Sequence, residues 1–116
     1  MLRGIALISL DCGAFADPSL RQTEKLSGGI FDLYFQEGQT TPKDDEWGMI
    51  AAWSHAMISG MDYIVTDPDI NKKQVAVMGC SIGGKVAIWA AAQDERIGMI
   101  LSATTGHGGD ALWRRG

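Results

Sequence analysis

The chain has 116 residues, 46% hydrophobic and 21% charged, an ordinary globular composition with room for one domain at most. A formal net charge of -4 and a pI near 4.9 argue against nucleic acid and anionic membrane as partners. No apolar run approaches the roughly 20 residues that a membrane span needs.

Ile5 to Leu10 is a continuous apolar run, as expected of a strand covered on both faces. Met1–Leu10 is too short a run for a signal peptide, Asp11 follows it, and no cleavage signature appears, so it reads as a core strand. Cys12 and Cys80 are too few for a disulfide framework or a metal site. Both fall near predicted strand ends, where a bond between them is conceivable, but two small buried thiols are the expectation. Residues 14–43 are rich in turn chemistry: Asp17-Pro18, Ser27-Gly28-Gly29, Glu37-Gly38 and Thr41-Pro42. Within them, Ile30-Phe31-Asp32-Leu33-Tyr34-Phe35 is apolar enough to dock on the core. That content favours an ordered loop near a site.

Asp44 or Asp45 can cap the next helix, with Pro42 just before it. From Trp47 to Val65, apolar residues recur at helical spacing, among them Ile50, Ser54, Met57, Ile58 and Met61. Gly48 and Gly60 weaken this helix slightly and permit close packing. Thr66-Asp67-Pro68-Asp69 ends it. Gln74 to Met78 is a second strand, Lys85 to Ala92 a second helix, and Ile97 to Ala103 a third strand. A loop, Thr104 to Asp110, follows, and Ala111 to Arg115 begins another helix. Strand, helix, strand, helix, strand predicts three parallel strands with crossover helices. In such sheets, sites gather outside the strand C-termini.

Between the second strand and its helix lies Gly79-Cys80-Ser81-Ile82-Gly83. Strand, Gly-x-Ser-x-Gly, helix is the context of a nucleophile elbow. A sharp turn would hold Ser81 in a strained backbone conformation, so the residues two before and two after it must be small; Gly79 and Gly83 are. The new helix would aim its N-terminus at charge developing on the reacting group. The alternative is a glycine-rich turn that binds nothing, or a phosphate. A serine hydroxyl also needs a histidine base, an acid to orient it, and oxyanion donors. In folds with this elbow the order is Ser, acid, His. Only His107 follows Ser81 closely, and Asp94 and Glu95, which lie between, sit at the far end of the elbow helix. His107 therefore reads as a loop histidine lining the site, and His55 as a helical surface histidine. One oxyanion donor is the backbone N–H of Ile82; the other belongs to a loop upstream of Met1.

These residues resemble the glucuronoyl esterases, a carbohydrate esterase family with an α/β-hydrolase fold. The family elbow reads Gly-Cys-Ser-Arg-x-Gly-Lys, against Gly79-Cys80-Ser81-Ile82-Gly83-Gly84-Lys85 here. Asp45-Glu46-Trp47-Gly48, Met61-Asp62-Tyr63, Thr66-Asp67-Pro68-Asp69-Ile70, Trp89 to Arg96, and Gly106-x-Gly108-Gly109 leading to Arg114-Arg115 also fit. The resemblance implies hydrolysis of glucuronate esters in plant cell-wall polysaccharide, without metal or cofactor. It makes Ser81 the nucleophile and Lys85 a partner of sugar hydroxyls. Two departures stand out. Ile82 replaces an arginine that helps the oxyanion, a loss of about 10²–10³ in rate. Thr104 stands where some members carry the acid; others take it from a later strand, and the family histidine also lies beyond Gly116. The length implies the central part of one catalytic domain, a partial α/β-hydrolase fold, because such sheets need on the order of 200 residues or more. The isolated chain is then expected to be inactive. Family members are usually exported, but no export signal is visible here. Rival readings are an acetyl-xylan or other carbohydrate esterase, a non-catalytic carbohydrate binder, and a chain with no folded state.

Overall fold

The computed structural model of the chain describes residues 4–17, 19 and 25–111. In order, a 3-10 turn at Cys12–Ala14 is followed by helix α1 (Phe31–Tyr34), helix α2 (Met49–Ile64), strand β1 (Ala76–Cys80), helix α3 (Ile82–Gln93) and strand β2 (Met99–Ala103). The helix expected at 111–115 lies outside the described residues. No helix among the described residues is long and apolar enough to cross a membrane.

The sheet of the described residues has two strands, not three. β1 and β2 pair in parallel, from Ala76 opposite Met99 to Cys80 opposite Ala103. The Ile5–Leu10 run forms no strand, and Ile5 and Leu7 are 93% and 83% exposed. Apolar β-branched sequence favours a strand only where a neighbour supplies the ladder of hydrogen bonds and a face to pack on. Neither reaches this segment. Only its end is placed: the Leu10 side chain lies over Gly60 of α2, where an added Cβ would come within 3.4 Å of it. That is ordinary contact distance, and a Cβ at Gly48 would meet nothing within 4 Å, so the packing of α2 depends on neither glycine, contrary to expectation.

α3 packs on one face of the sheet and α2 packs against α3. The two helices meet through small residues, Ala52 and Ala56 on α2 and Val86, Ala87 and Ala90 on α3, all nearly fully buried. Ser54 is equally buried; its hydroxyl donates to the carbonyls of Ile50 (2.8 Å) and Val86 (3.1 Å), so it ties α2 to α3 at no unsatisfied cost. The buried face of α2 keeps Ser54, Met61 and Ile64 of the face its spacing indicates but also takes in Ala52, Trp53 and Ala56, while Ile50 is 37% exposed. Alanine allows the closer approach of α3, and that decides which face turns inward. The other face of the sheet is open. Met78, Met99 and Leu101 are all more than half exposed, although the apolar runs predict cover on both sides.

α2 starts later than expected. Its N-cap is Gly48, without a side-chain capping bond, and Asp44 and Asp45 fall in a preceding turn closed by the Glu46 N–H on the Lys43 carbonyl. The segment before it is ordered by aromatic packing. Phe31 is fully buried and stacks on Trp47 with centroids 5.4 Å apart, while Tyr34 meets Trp47 edge-on at 5.3 Å. Trp53 Nε1 donates to the Ala16 carbonyl at 2.8 Å, pinning the loop to α2. Cys12 and Cys80 are both free thiols; burial pushes the Cys12 thiol up, with the Asp11 charge adding to it. Cys12 is half-buried, but Cys80 is exposed rather than buried.

At the far end of α3, Asp94 is buried and receives a bidentate bond from the Arg96 guanidinium, which also reaches Asp62 of α2 at 2.8 Å. The Arg96 hydrogen bonds hold the Asp94 carboxyl below its usual range. A carboxyl depressed in the folded state contributes stability that is present above the unfolded pKa of about 4. That contribution is lost as pH falls through the lower folded value. The melting midpoint should therefore drop on acidification from pH 5 to 2, and Arg96→Gln should flatten that part of the profile. An unchanged slope in the variant would contradict the assignment.

Candidate active site

β1, the turn at Ser81 and α3 form one uninterrupted strand–turn–helix unit. Ser81 has φ 54° and ψ -120°, a left-handed region that non-glycine residues rarely enter. The other non-glycine residue with positive φ among those described is Thr104, at φ 50°. The two are neighbours in space as well as in kind. Cys80 and Ala103 are register partners at the ends of β1 and β2, so Ser81 and Thr104 are the next residue on each strand. The Ser81 N–H extends the ladder to the Ala103 carbonyl at 2.8 Å, and the Cys80 thiol meets the Thr104 hydroxyl at 3.2 Å. Backbone strain thus gathers at the C-terminal edge of the parallel strands, where such strain and ligand sites tend to occur.

Why the turn can be this sharp is visible at Gly79. A Cβ there would overlap the backbone of Gly83 and the nitrogen of Gly84. At Gly83 a Cβ would meet nothing within 4 Å. The expectation that both flanking glycines must be small is therefore corrected: the first strand glycine is sterically required, while the second serves only as the backbone against which it lies. The position that does need a glycine on the helix is Gly84, whose Cβ would collide with the Thr105 methyl.

Ser81 is the N-cap of α3 but its side chain makes no capping bond, and the residue is exposed. Serine at an N-cap ordinarily spends its oxygen on the N2 or N3 amide. Here the hydroxyl is left for solvent or a ligand. The Gly84 amide donates to the Ser81 carbonyl at 3.0 Å, which leaves the amides of Ile82 and Gly83 at the positive end of the helix. The Ile82 side chain turns away and packs against the cluster of Phe31, Trp53 and Val86.

Lys85 is half-buried one turn after Ile82, on the same side of the helix, and both line a groove between the starts of α2 and α3. His107 stands exposed in the loop after β2, with Gly108 beside it on the groove wall. His55 lies on α2, exposed, at a separate groove with Trp89 and Gln93. Asp94 is about 18 Å from Ser81, the length of a twelve-residue helix, and engaged by Arg96. Among the described residues no group of three or more His, Cys, Asp or Glu could hold a metal ion.

Two residues of this edge were not singled out from the sequence. Thr105 is buried, and its hydroxyl bonds both the Asp110 carboxylate and the Asp110 N–H; Asp110 also accepts from Ser102 at 3.3 Å. The Thr105 hydrogen bond lowers the Asp110 pKa. This clasp folds residues 105–110 back on the end of β2 and sets the Thr105 methyl against Gly84. No local pattern announces it, because it depends on where β2 ends relative to α3.

A family profile described as "Glucuronyl esterase, fungi" matches residues 1–116. Carbohydrate esterase MZ0003, from an unknown prokaryotic organism, is 41% identical over 113 residues, covering 97% of this chain and 25% of that protein. The 4-O-methyl-glucuronoyl methylesterase of Phanerochaete carnosa is 31% identical over 113 residues, covering 96% and 26%. In structure, the glucuronoyl esterase from Solibacter usitatus superposes with a TM-score of 0.70 at 44% identity, over 76% of this chain and 22% of that one. The chain spans about a quarter of the length of the curated relatives it matches. A full-length profile match and this degree of identity, on a strand–turn–helix with its serine exposed, establish that the chain belongs to the glucuronoyl esterase family.

Proposed function

We propose that the chain is the nucleophile-bearing, central part of a serine carboxylic-ester hydrolase with an α/β-hydrolase fold, cleaving glucuronate esters through an acyl-enzyme on Ser81. The observation that carries this reading is the exposed Ser81 residue, held at positive φ at the start of α3 and not used as a cap. Ser81 Oγ attacks the ester carbonyl carbon as a base takes its proton. The tetrahedral oxyanion accepts from the Ile82 N–H. Collapse breaks the acyl–oxygen bond, and the alcohol leaves with the proton. Water then adds to the acyl-enzyme and releases glucuronate. Lys85 is assigned to sugar hydroxyls, and His107 to the site wall. Neither His55 nor His107 is assigned as the base; base and acid are assigned to the remainder of the family's domain. The glucuronate ester specificity rests on the names of the relatives.

The test places residues 1–116 in the matching stretch of the Solibacter usitatus enzyme. The chimera should hydrolyse benzyl glucuronate, and Ser81→Ala should lower kcat by about 10⁴ or more. The 116-residue chain alone should give no turnover that depends on Ser81. Turnover that survives Ser81→Ala would refute the nucleophile. Faster release of acetate from acetyl-xylan than of alcohol from glucuronate esters would favour another carbohydrate esterase. A second reading, a non-catalytic carbohydrate binder, is favoured by Ile82 packing on the core and Thr104 bonding Cys80, since neither then supports the reaction. Glucuronate binding by the chimera with no phosphonylation of Ser81 by a fluorophosphonate would select it.

A further inference from the structure

Thr105 is gripped from both sides just beyond the end of β2. Its methyl lies against Gly84, where a Cβ would overlap it. Its Cβ and hydroxyl lie against Gly109, where a Cβ would overlap both. The hydroxyl is fully engaged: it donates to one carboxylate oxygen of Asp110 and accepts from the Asp110 N–H at 2.7 Å. The other carboxylate oxygen accepts from Ser102 at 3.3 Å. Thr105 is only 3% exposed, so water cannot readily replace Asp110 as the acceptor. The carboxylate therefore fixes which way the Thr105 side chain points.

Gly84 carries that constraint to the nucleophile. Its N–H donates to the Ser81 carbonyl at 3.0 Å, and the Ser81 N–H donates to Ala103, two residues before Thr105, at 2.8 Å. Ser81, the first turn of α3 and the start of the loop after β2 thus form one closed frame. Ser81 at φ 54° needs such a frame, because a strained conformation persists only where its surroundings over-determine it. Without the Asp110 carboxylate the buried hydroxyl would lack an acceptor, and turning it toward water would take the methyl off Gly84. We propose that Asp110 is a positioning residue for Ser81: through the Thr105 side chain it holds the first turn of α3, with Ser81 and the Ile82 and Gly83 amides, in the geometry of attack. This rests on the esterase reading above. The carboxylate is occupied by Thr105 and Ser102, so its part is to hold the helix and not to orient a base.

In the Solibacter usitatus chimera, Asp110→Ala should lower kcat on benzyl glucuronate by about 10- to 100-fold at nearly unchanged KM, the loss expected when a reacting group is misplaced by about 1 Å or less. Asp110→Asn keeps an oxygen for Thr105 and should stay within about fivefold of the parent. Thr105→Ser keeps both hydrogen bonds but takes the methyl from Gly84; it should fall as far as Asp110→Ala, and the double variant no further. Phosphonylation of Ser81 by a fluorophosphonate should slow in parallel, while the fraction finally labelled stays the same. In the 116-residue chain, amide hydrogen exchange at Ser81 and Gly84 should quicken about tenfold in Asp110→Ala, with residues 87–92 of α3 unchanged. Parental kcat in Asp110→Ala, an equal loss in Asp110→Asn, or a loss of labelled fraction at parental rate overturns the positioning role. Faster exchange at Ser81 and Gly84 in a protein whose chimera is never phosphonylated would sink the esterase and leave the hold on the turn. Phosphonylation with exchange unmoved would do the reverse.

Discussion

Gly79→Ala should destabilise the chain by roughly 3 kcal/mol, the upper range for forcing an extra methyl into a packed site. The added carbon would lie within the van der Waals envelope of the Gly83 carbonyl group and the Gly84 nitrogen. These are backbone atoms of the first turn of α3, and no side-chain rotation can move them aside. Relief requires β1 and α3 to separate, which would break the Ser81 N–H bond to Ala103 and the close fit of Gly84 to Thr105. Gly83→Ala is the contrast. A Cβ at that position meets nothing, and alanine improves a helical residue by about 0.5–1 kcal/mol over glycine. Urea unfolding should therefore move the two midpoints in opposite directions at similar slope. Two equal losses would mean that the turn needs both glycines and that the close approach is shared differently.

Ser81→Gly should remove esterase activity from the chimera, by about 10⁴ or more, and at the same time stabilise the fold. A non-glycine residue held at positive φ costs on the order of 1–3 kcal/mol, and glycine adopts that conformation freely. Against this stands the extra freedom glycine has when unfolded, so a net gain of about 1 kcal/mol is expected. Ser81→Ala is the control. It removes the same hydroxyl but keeps a Cβ in the same strained backbone, so its stability should match the parent chain. Thermal midpoints of the three proteins separate the contributions. If the alanine and glycine variants melt together, the conformation at position 81 stores no strain, and the placement of the hydroxyl has another cause.

Those two expectations stand at different distances from the sequence. That a turn falls at Ser81 was legible, because an apolar run, a glycine-flanked serine and a helix-forming stretch are adjacent in the chain and constrain one another through local geometry. The docking of Phe31 was legible for a similar reason: its apolar neighbours had to be buried somewhere nearby. The helix cap at Asp44 or Asp45 was misplaced, because Glu46 and Lys43 close their own turn and leave Gly48 to begin the helix. The strand at Ile5–Leu10 was expected from composition alone. A strand is a relation between two segments, and composition describes only one of them.

Membership of the esterase family and the position of the elbow were thus settled by residue order. They depend on contacts within a few residues, where sterics and hydrogen bonding leave few alternatives. Which glycine bears the close approach, which face of α2 turns inward, the clasp of Thr105 and Asp110, and the apolar groove reaching Ile82 were decided by the tertiary structure. The Gly79 approach and the Thr105–Asp110 clasp arise where the backbone folds back on itself just after β1 and β2, while the buried face of α2 and the groove arise where segments far apart in the chain come within van der Waals distance. That distance is set by how small side chains such as Ala52, Ala56 and Ala90 let the helices approach, and no one segment specifies it.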